Sequence, residues 1–252
     1  MHTFSSNGIE IAYRDGGEGQ PVLLIHGFAS NVATNWESTG WAAMLERSGY
    51  RVVALDNRGH GQSAKPHDAG LYGAPIMAED ARALLDHLGL TDTHVMGYSM
   101  GARIAAFLAL RHPERVRSLV FGGLGHNMVR GMAGTGPIAH ALEAAHIEDV
   151  TNPTARTFRA FAEQTKSDLK ALAACIRSSR DPIREDDLAR ITCPVLVAVG
   201  SDDVIGGPAE PLARLIPGAI AMTIEGRDHM KAVGDKAFKD AVVTFLAEVD
   251  RR

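Results

Sequence analysis

Apolar positions along this chain switch between two periods. Ile9-Glu10-Ile11-Ala12-Tyr13-Arg14 alternates at every second residue, which predicts a half-buried strand. Pro21-Val22-Leu23-Leu24-Ile25 is apolar throughout, as a strand covered on both faces requires. Further strands are predicted at Tyr50–Leu55, Thr93–Met96, Val116–Phe121, Pro194–Val199 and Ala219–Ile224. Between them, Trp41–Arg47, Pro75–Leu88 and Ala102–Leu110 carry apolar residues at helical spacing, and Ala232–Val249 makes a C-terminal amphipathic helix. Pro75 near a start and Gly89 just past an end are the expected punctuation. Strands alternating with helices predict an α/β fold: a mostly parallel central sheet flanked by helices. One stretch breaks the rhythm. From Gly125 to Asp187 there are helical patterns, at Thr154–Lys166 and Ser167–Ser178, but no strand. The expected organisation is a core of residues 1–124 and 188–252 with a small helical cap inserted at 125–187.

The sharpest local signal is Val95-Met96-Gly97-Tyr98-Ser99-Met100-Gly101-Ala102. It reads strand, Gly-x-Ser-x-Gly, helix. In such a turn the serine hydroxyl is lifted out of the backbone, and glycines two residues before and after it leave room for close backbone approach. The helix that follows aims its free N–H groups at the serine. Two other strand ends carry ionisable groups: Gly200-Ser201-Asp202-Asp203 and Gly226-Arg227-Asp228-His229-Met230. A serine hydroxyl is a weak nucleophile until an imidazole takes its proton, and the imidazole needs a carboxylate to fix its tautomer. Serine, acid and histidine therefore belong at one edge of the sheet, where ligands bind in such folds.

With these segments in that order, the chain resembles the α/β-hydrolase fold superfamily over nearly its whole length, as a serine-esterase-like member with a short helical cap. His26-Gly27-Phe28 is similar to that family's oxyanion segment, and Asp56-Asn57-Arg58-Gly59-His60-Gly61-Gln62-Ser63 to the loop after the next strand. The resemblance implies Ser99 as nucleophile, His229 as base and Asp203, three residues after Gly200, as the acid. It implies backbone N–H donors from Phe28 and Met100 as the oxyanion hole. Phe28, Trp36, His126, Met128, Phe158 and Phe161 are the candidates for substrate binding, with Met132 as a further apolar member of the cap. His26 is expected to orient its loop, and Asp56–Ser63 to shape the pocket wall. The implied activity is hydrolysis of a small-molecule carboxylic ester through an acyl-enzyme. Thioesterases, lactonases, C–C bond hydrolases and cofactor-free perhydrolases run on the same triad. A binding protein with slow turnover, like the hormone receptors of this fold, is the rival of another class. Serine at the elbow argues against haloalkane dehalogenases and epoxide hydrolases, which use aspartate there.

Composition adds exclusions. Net charge is −4 over 252 residues, with scattered basic residues, so nothing marks a nucleic-acid surface. No apolar run approaches the roughly 20 residues that span a bilayer. Met1-His2-Thr3-Phe4 lacks the charged and apolar regions of a secretory signal, and Cys175 and Cys193 make no disulfide framework. A cytoplasmic location and a monomer or small homo-oligomer are the expectations. Neither a GxGxxG nor a GxxxxGK[ST] loop follows a strand, and no metal or organic cofactor is implied.

Overall fold

The computed structural model describes residues 1–131, 135–178 and 183–252. Among them, β1 (His2–Ser6), β2 (Ile9–Gly16), β3 (Gln20–Ile25), β4 (Tyr50–Leu55), β5 (Thr93–Tyr98), β6 (Val116–Gly122), β7 (Val195–Gly200) and β8 (Ile220–Ile224) form one sheet. Its order is β1-β2-β4-β3-β5-β6-β7-β8. β1 pairs antiparallel with β2, and β2 with β4; the remaining pairs are parallel. Ile25 lies opposite Gly97, Gly97 opposite Phe121, and Gly200 opposite Ile224, so β3, β5, β6, β7 and β8 end at one edge.

The helices are α1 (Trp41–Arg47), α2 (Ala74–His87), α3 (Met100–Arg111), α4 (Asn127–Arg130), α5 (Thr135–Glu143), α6 (Pro153–Gln164), α7 (Leu169–Arg177), α8 (Glu185–Leu188), α9 (Ala209–Ala213), α10 (His229–Ala232) and α11 (Lys236–Asp250). Alternation along the strands divides the core in two. Leu23, Ile25, Val53, Leu55, Val95, Leu119 and Phe121 pack with residues of α2 and α3 on one face. Val22, Leu24, Val52, Ala54, Met96 and Val120 pack with Trp41 and Leu45 of α1 and Phe238, Val242 and Leu246 of α11 on the other. Each fully buried side chain of this kind contributes about 1.5–3 kcal/mol.

Three elements differ from the pattern reading. β1 was not expected: it is a mostly polar edge strand that buries only Phe4 and Ser6. α9 is a five-residue helix too short to show a period. The C-terminal helix is two helices. Asp228 accepts from the N–H groups of Met230 and Lys231 and so starts α10, and Asp235 accepts from Ala237 N–H and starts α11. Each carboxylate satisfies amides that have no partner inside the helix.

Residues 125–187 contain α4 to α8 and no strand among the described residues. Two buried arginines hold this stretch. Arg103 of α3 donates from Nη1 to the Met128 carbonyl (3.0 Å) and from Nη2 to that of Asn127 (3.1 Å). Arg159 of α6 donates from Nη1 to the carbonyls of Ala141 (2.7 Å) and Ala144 (2.9 Å), placing a cation against the C-terminal end of α5. Thr165 Oγ1, just after α6, donates to the Ala29 carbonyl (2.9 Å). Among the described residues no helix is long and apolar enough to cross a membrane.

Candidate active site

Ser99 stands between β5 and α3 with φ 55° and ψ −112°, a backbone conformation rare for a residue with a side chain. Sterics of the turn explain the flanking glycines. A Cβ on Gly97 would run into the Gly101 carbonyl, and one on Gly101 into that of Ile25 at the end of β3. The turn is held further by Ser99 N–H, which donates to the Gly122 carbonyl (2.8 Å).

The other two chemistry-bearing loops meet Ser99. His229 Nε2 lies 3.0 Å from Ser99 Oγ, and His229 Nδ1 lies 2.7 Å from Asp203 Oδ2. Asp203 Oδ1 accepts from the N–H groups of Ile205 (2.9 Å) and Gly206 (2.8 Å). A carboxylate only accepts, so the proton sits on Nδ1 and the Nε2 lone pair faces the serine hydroxyl. Asp203 is buried, whereas Asp202 is exposed and accepts from Ser201 Oγ (2.9 Å). Asp228, next to the histidine in sequence, is occupied as the cap of α10. Tyr98, which the sequence reading left aside, donates its hydroxyl to the His229 carbonyl (2.6 Å). Burial and the negative charges of Asp203 and Asp228 push the Tyr98 phenol well above its ordinary range, so it stays a donor.

The segment after β3 is pinned from behind. His26 Nδ1–H donates to the Gly27 carbonyl (2.7 Å), and its Nε2 accepts from Asn57 N–H (2.9 Å). Both ring nitrogens are used within the backbone, so His26 orients its loop and carries no proton to substrate. Burial pushes its pKa from 6.5 to about 4. The unfolded chain therefore takes up this proton first as pH falls, and stability drops between pH 6.5 and 4. At about 1.4 kcal/mol per pH unit, the full contribution is about 3 kcal/mol. Denaturant titrations across this window should show a shallower pH slope for His26→Gln than for the unaltered protein. Equal slopes would assign the acid sensitivity to other groups.

A cavity of about 460 Å³ opens over Ser99 and His229. Phe28, Phe158 and Phe161 line it, as expected, and Tyr98, Asn35, Thr154, Thr157, Val204 and Ile205 join them. Thr154, Thr157, Phe158 and Phe161 form a single stripe of α6 at helical spacing, a pattern the sequence displays. Among the described residues no Asp, Glu, Lys or Arg contributes to this wall.

Three expected pocket residues lie elsewhere. Trp36 is wholly buried in the core under α1, edge-on to Trp41 with ring centroids 6.3 Å apart. It sits in a π-helical turn, Ala33–Glu37, that sends its neighbour Asn35 to the cavity instead. Met128 is fully buried in the main core, because Arg103 pulls the start of α4 down onto α3. His126 borders a separate charged hollow with Arg130, Arg184, Glu185 and Asp186. Met132 lies outside the described residues. The loop 56–63 does not shape the cavity wall either. It is a brace behind it: Asp56 accepts from the N–H groups of Val32 and Gln62 (both 2.7 Å), and Arg58 pairs with buried Asp80 through two 2.7 Å bonds. Among the described residues no group of three or more His, Cys, Asp and Glu comes together as a metal site.

A second serine, histidine and aspartate meet at the opposite edge of the sheet. Ser118 Oγ lies 2.8 Å from His94 Nδ1, and His94 Nε2 lies 3.1 Å from Asp250 Oδ1. Ser118 and His94 are wholly buried and line none of the cavities described, so this group braces β5 and β6 against the end of α11. Residue types alone do not distinguish the two groups; access to a cavity does.

The sheet order and the serine turn after β5 are those of the α/β-hydrolase fold, and comparison with known proteins agrees on that fold. The chain has the α/β-hydrolase fold, and a family model described as "alpha/beta hydrolase fold" matches residues 20–134. It is 41% identical to 2-hydroxymuconate semialdehyde hydrolase of Pseudomonas putida over 116 residues, which are 46% of this chain and 40% of that protein. The match thus spans less than half the length of that relative. Non-heme chloroperoxidase CPO-A1 of Kitasatospora aureofaciens is 27% identical, with 95% of this chain and 97% of that protein covered. A hydrolase of Pseudomonas aeruginosa superposes with a TM-score of 0.77 at 27% identity, with 97% of each chain covered.

Proposed function

We propose that the protein is a serine hydrolase that cleaves carboxylic esters of small, uncharged molecules through an acyl-enzyme. The observation that carries this reading is the pair of contacts on His229, 3.0 Å to Ser99 Oγ and 2.7 Å to Asp203 Oδ2, beneath a cavity that no Asp, Glu, Lys or Arg lines among the described residues. Ser99 Oγ attacks the ester carbonyl while His229 Nε2 takes its proton. Asp203 holds the imidazole and stabilises its cationic form. The developing oxyanion is held by the N–H groups of Phe28 and Met100. Met100 suits this role as the first residue of α3, where amides have no partner inside the helix. His229 then returns its proton to the alcohol. Water, deprotonated by the same imidazole, frees the acyl group and regenerates Ser99. Turnover of p-nitrophenyl acetate separates this reading from a binding protein, which would bind esters without releasing nitrophenol at a useful rate.

One relative favours a second acceptor. The chloroperoxidase matches nearly end to end, and hydrogen peroxide in place of water would convert the same acyl-enzyme to a peracid. Peracid formation in acetate and peroxide, lost with Ser99, would add that activity to the ester reading.

Residues 125–187 act in this proposal as a cap that selects the acyl group. Phe158 and Phe161 supply the apolar surface, and Phe28 meets Phe158 edge-on at 6.0 Å across the cavity. Phe158→Ala and Phe161→Ala should change the ratio of kcat/KM for octanoyl over acetyl esters by roughly 10-fold, because methylenes are read by apolar contact. If both variants scale every ester equally, the cap is only structural.

A further inference from the structure

Asn35 was not among the expected site residues, yet it combines three properties that converge on substrate. It lines the cavity that holds Ser99 and His229. Its side chain is fixed: Oδ1 accepts from Gly27 N–H at 3.1 Å, which also assigns the other end of the amide as Nδ2. That Nδ2 is buried and donates to no protein acceptor among the described residues. A buried donor left without an acceptor is costly, and a bound water or a ligand oxygen would satisfy it. The site is also close to the chemistry. A Cβ built on Gly27 would stand 3.5 Å from Ser99 Cβ and 3.8 Å from Asn35 Oδ1.

The surrounding wall narrows the ligand. Ser30, Thr34, Asn35 and Thr39 come from one segment and are polar but uncharged, while α6 presents Phe158 and Phe161. Thr39 Oγ1 is already spent on the Asn35 carbonyl (2.7 Å), which stiffens the segment. Among the described residues this wall offers no lysine or arginine to a carboxylate on the substrate. We infer that Asn35 Nδ2 reads a second, uncharged acceptor oxygen, an ether, carbonyl or lactone oxygen a few bonds from the scissile carbonyl. The preferred substrates are then oxygen-bearing esters, not plain alkyl ones. This rests on the serine-hydrolase reading above.

The test uses an isosteric pair, p-nitrophenyl methoxyacetate and p-nitrophenyl butyrate, which differ by one oxygen in place of a methylene. Asn35→Asp keeps the acceptor for Gly27 N–H and removes the donor. Asn35→Ser removes the donor's reach without adding charge. The ratio of kcat/KM for methoxyacetate over butyrate should fall roughly 10-fold in both variants, mainly through KM, because the contact is made in ground and transition states alike. An unchanged ratio, whether both rates fall together or neither does, would make Asn35 only a brace for Gly27 and overturn the inference. A fall in Asn35→Asp alone would reflect charge repulsion and would overturn it equally. Thermal unfolding identifies a variant that fails to fold, and the other then decides by the same ratio. Ser99→Ala is assayed on the same two esters. If it hydrolyses them at an undiminished rate, the serine reading fails, independently of what the ratio shows for Asn35.

Discussion

Ser99→Ala should leave the fold intact and lower kcat by roughly 10⁴ to 10⁶, as loss of a triad nucleophile does. The fold should survive because the turn is held by backbone contacts, from Ser99 N–H to the Gly122 carbonyl and by the close approach of Gly97 and Gly101. Among the described residues the hydroxyl itself hydrogen-bonds only to His229. Residual turnover would come from the N–H groups of Phe28 and Met100 acting on water attack. The second serine, histidine and aspartate group provides an internal control. Ser118→Ala removes a buried partner of His94 and should cost stability, while kcat of the folded fraction stays the same. Undiminished hydrolysis by Ser99→Ala would end the serine reading.

The second large effect belongs to Asp203. Asp203→Asn should lower kcat on the order of 10⁴, because an amide there favours the wrong histidine tautomer. The contacts explain how. The Asn oxygen would keep accepting from Ile205 and Gly206, as Asp203 Oδ1 does now, and would leave the NH₂ group against His229 Nδ1. Nδ1 would then have to accept, the ring proton would move to Nε2, and Ser99 would face a donor in place of a base. Asp202→Asn should change kcat little, since that carboxylate is exposed and among the described residues accepts only from Ser201 Oγ. Steady-state kinetics on the two variants decides the assignment. The reverse ranking would show that the turn after β7 works one residue earlier.

The sheet was legible because its strands are buried on both faces and so read as apolar runs, as β3 and β4 do. The serine turn was legible for a steric reason, since only glycine fits at 97 and 101. The expectation for Asp203 came from the resemblance, which sets the acid three residues past the glycine that ends β7, and its carboxylate lies 2.7 Å from His229 Nδ1. The pocket was legible only in part. Phe158 and Phe161 lie on a regular helix, where spacing predicts the face. Asn35 and Trp36 lie in a π-helical turn, where the periods of helices and strands do not apply, so the sequence pattern does not show which of the two faces the cavity. His126 and Met128 were misplaced because their position depends on Arg103, a contact 25 residues away in the chain that no local pattern contains. β1 was missed because its hydrogen bonds to β2, and not apolar content, make it a strand.

The most direct test of the central claim is covalent labelling with a fluorophosphonate, followed by peptide mapping. Such a reagent reacts only with a serine whose proton can be taken by a neighbouring base in an open site. One adduct is expected, on Ser99, lost in His229→Ala and absent from Ser118. An adduct on another residue, or ester turnover by protein that carries no adduct after full exposure, would contradict it.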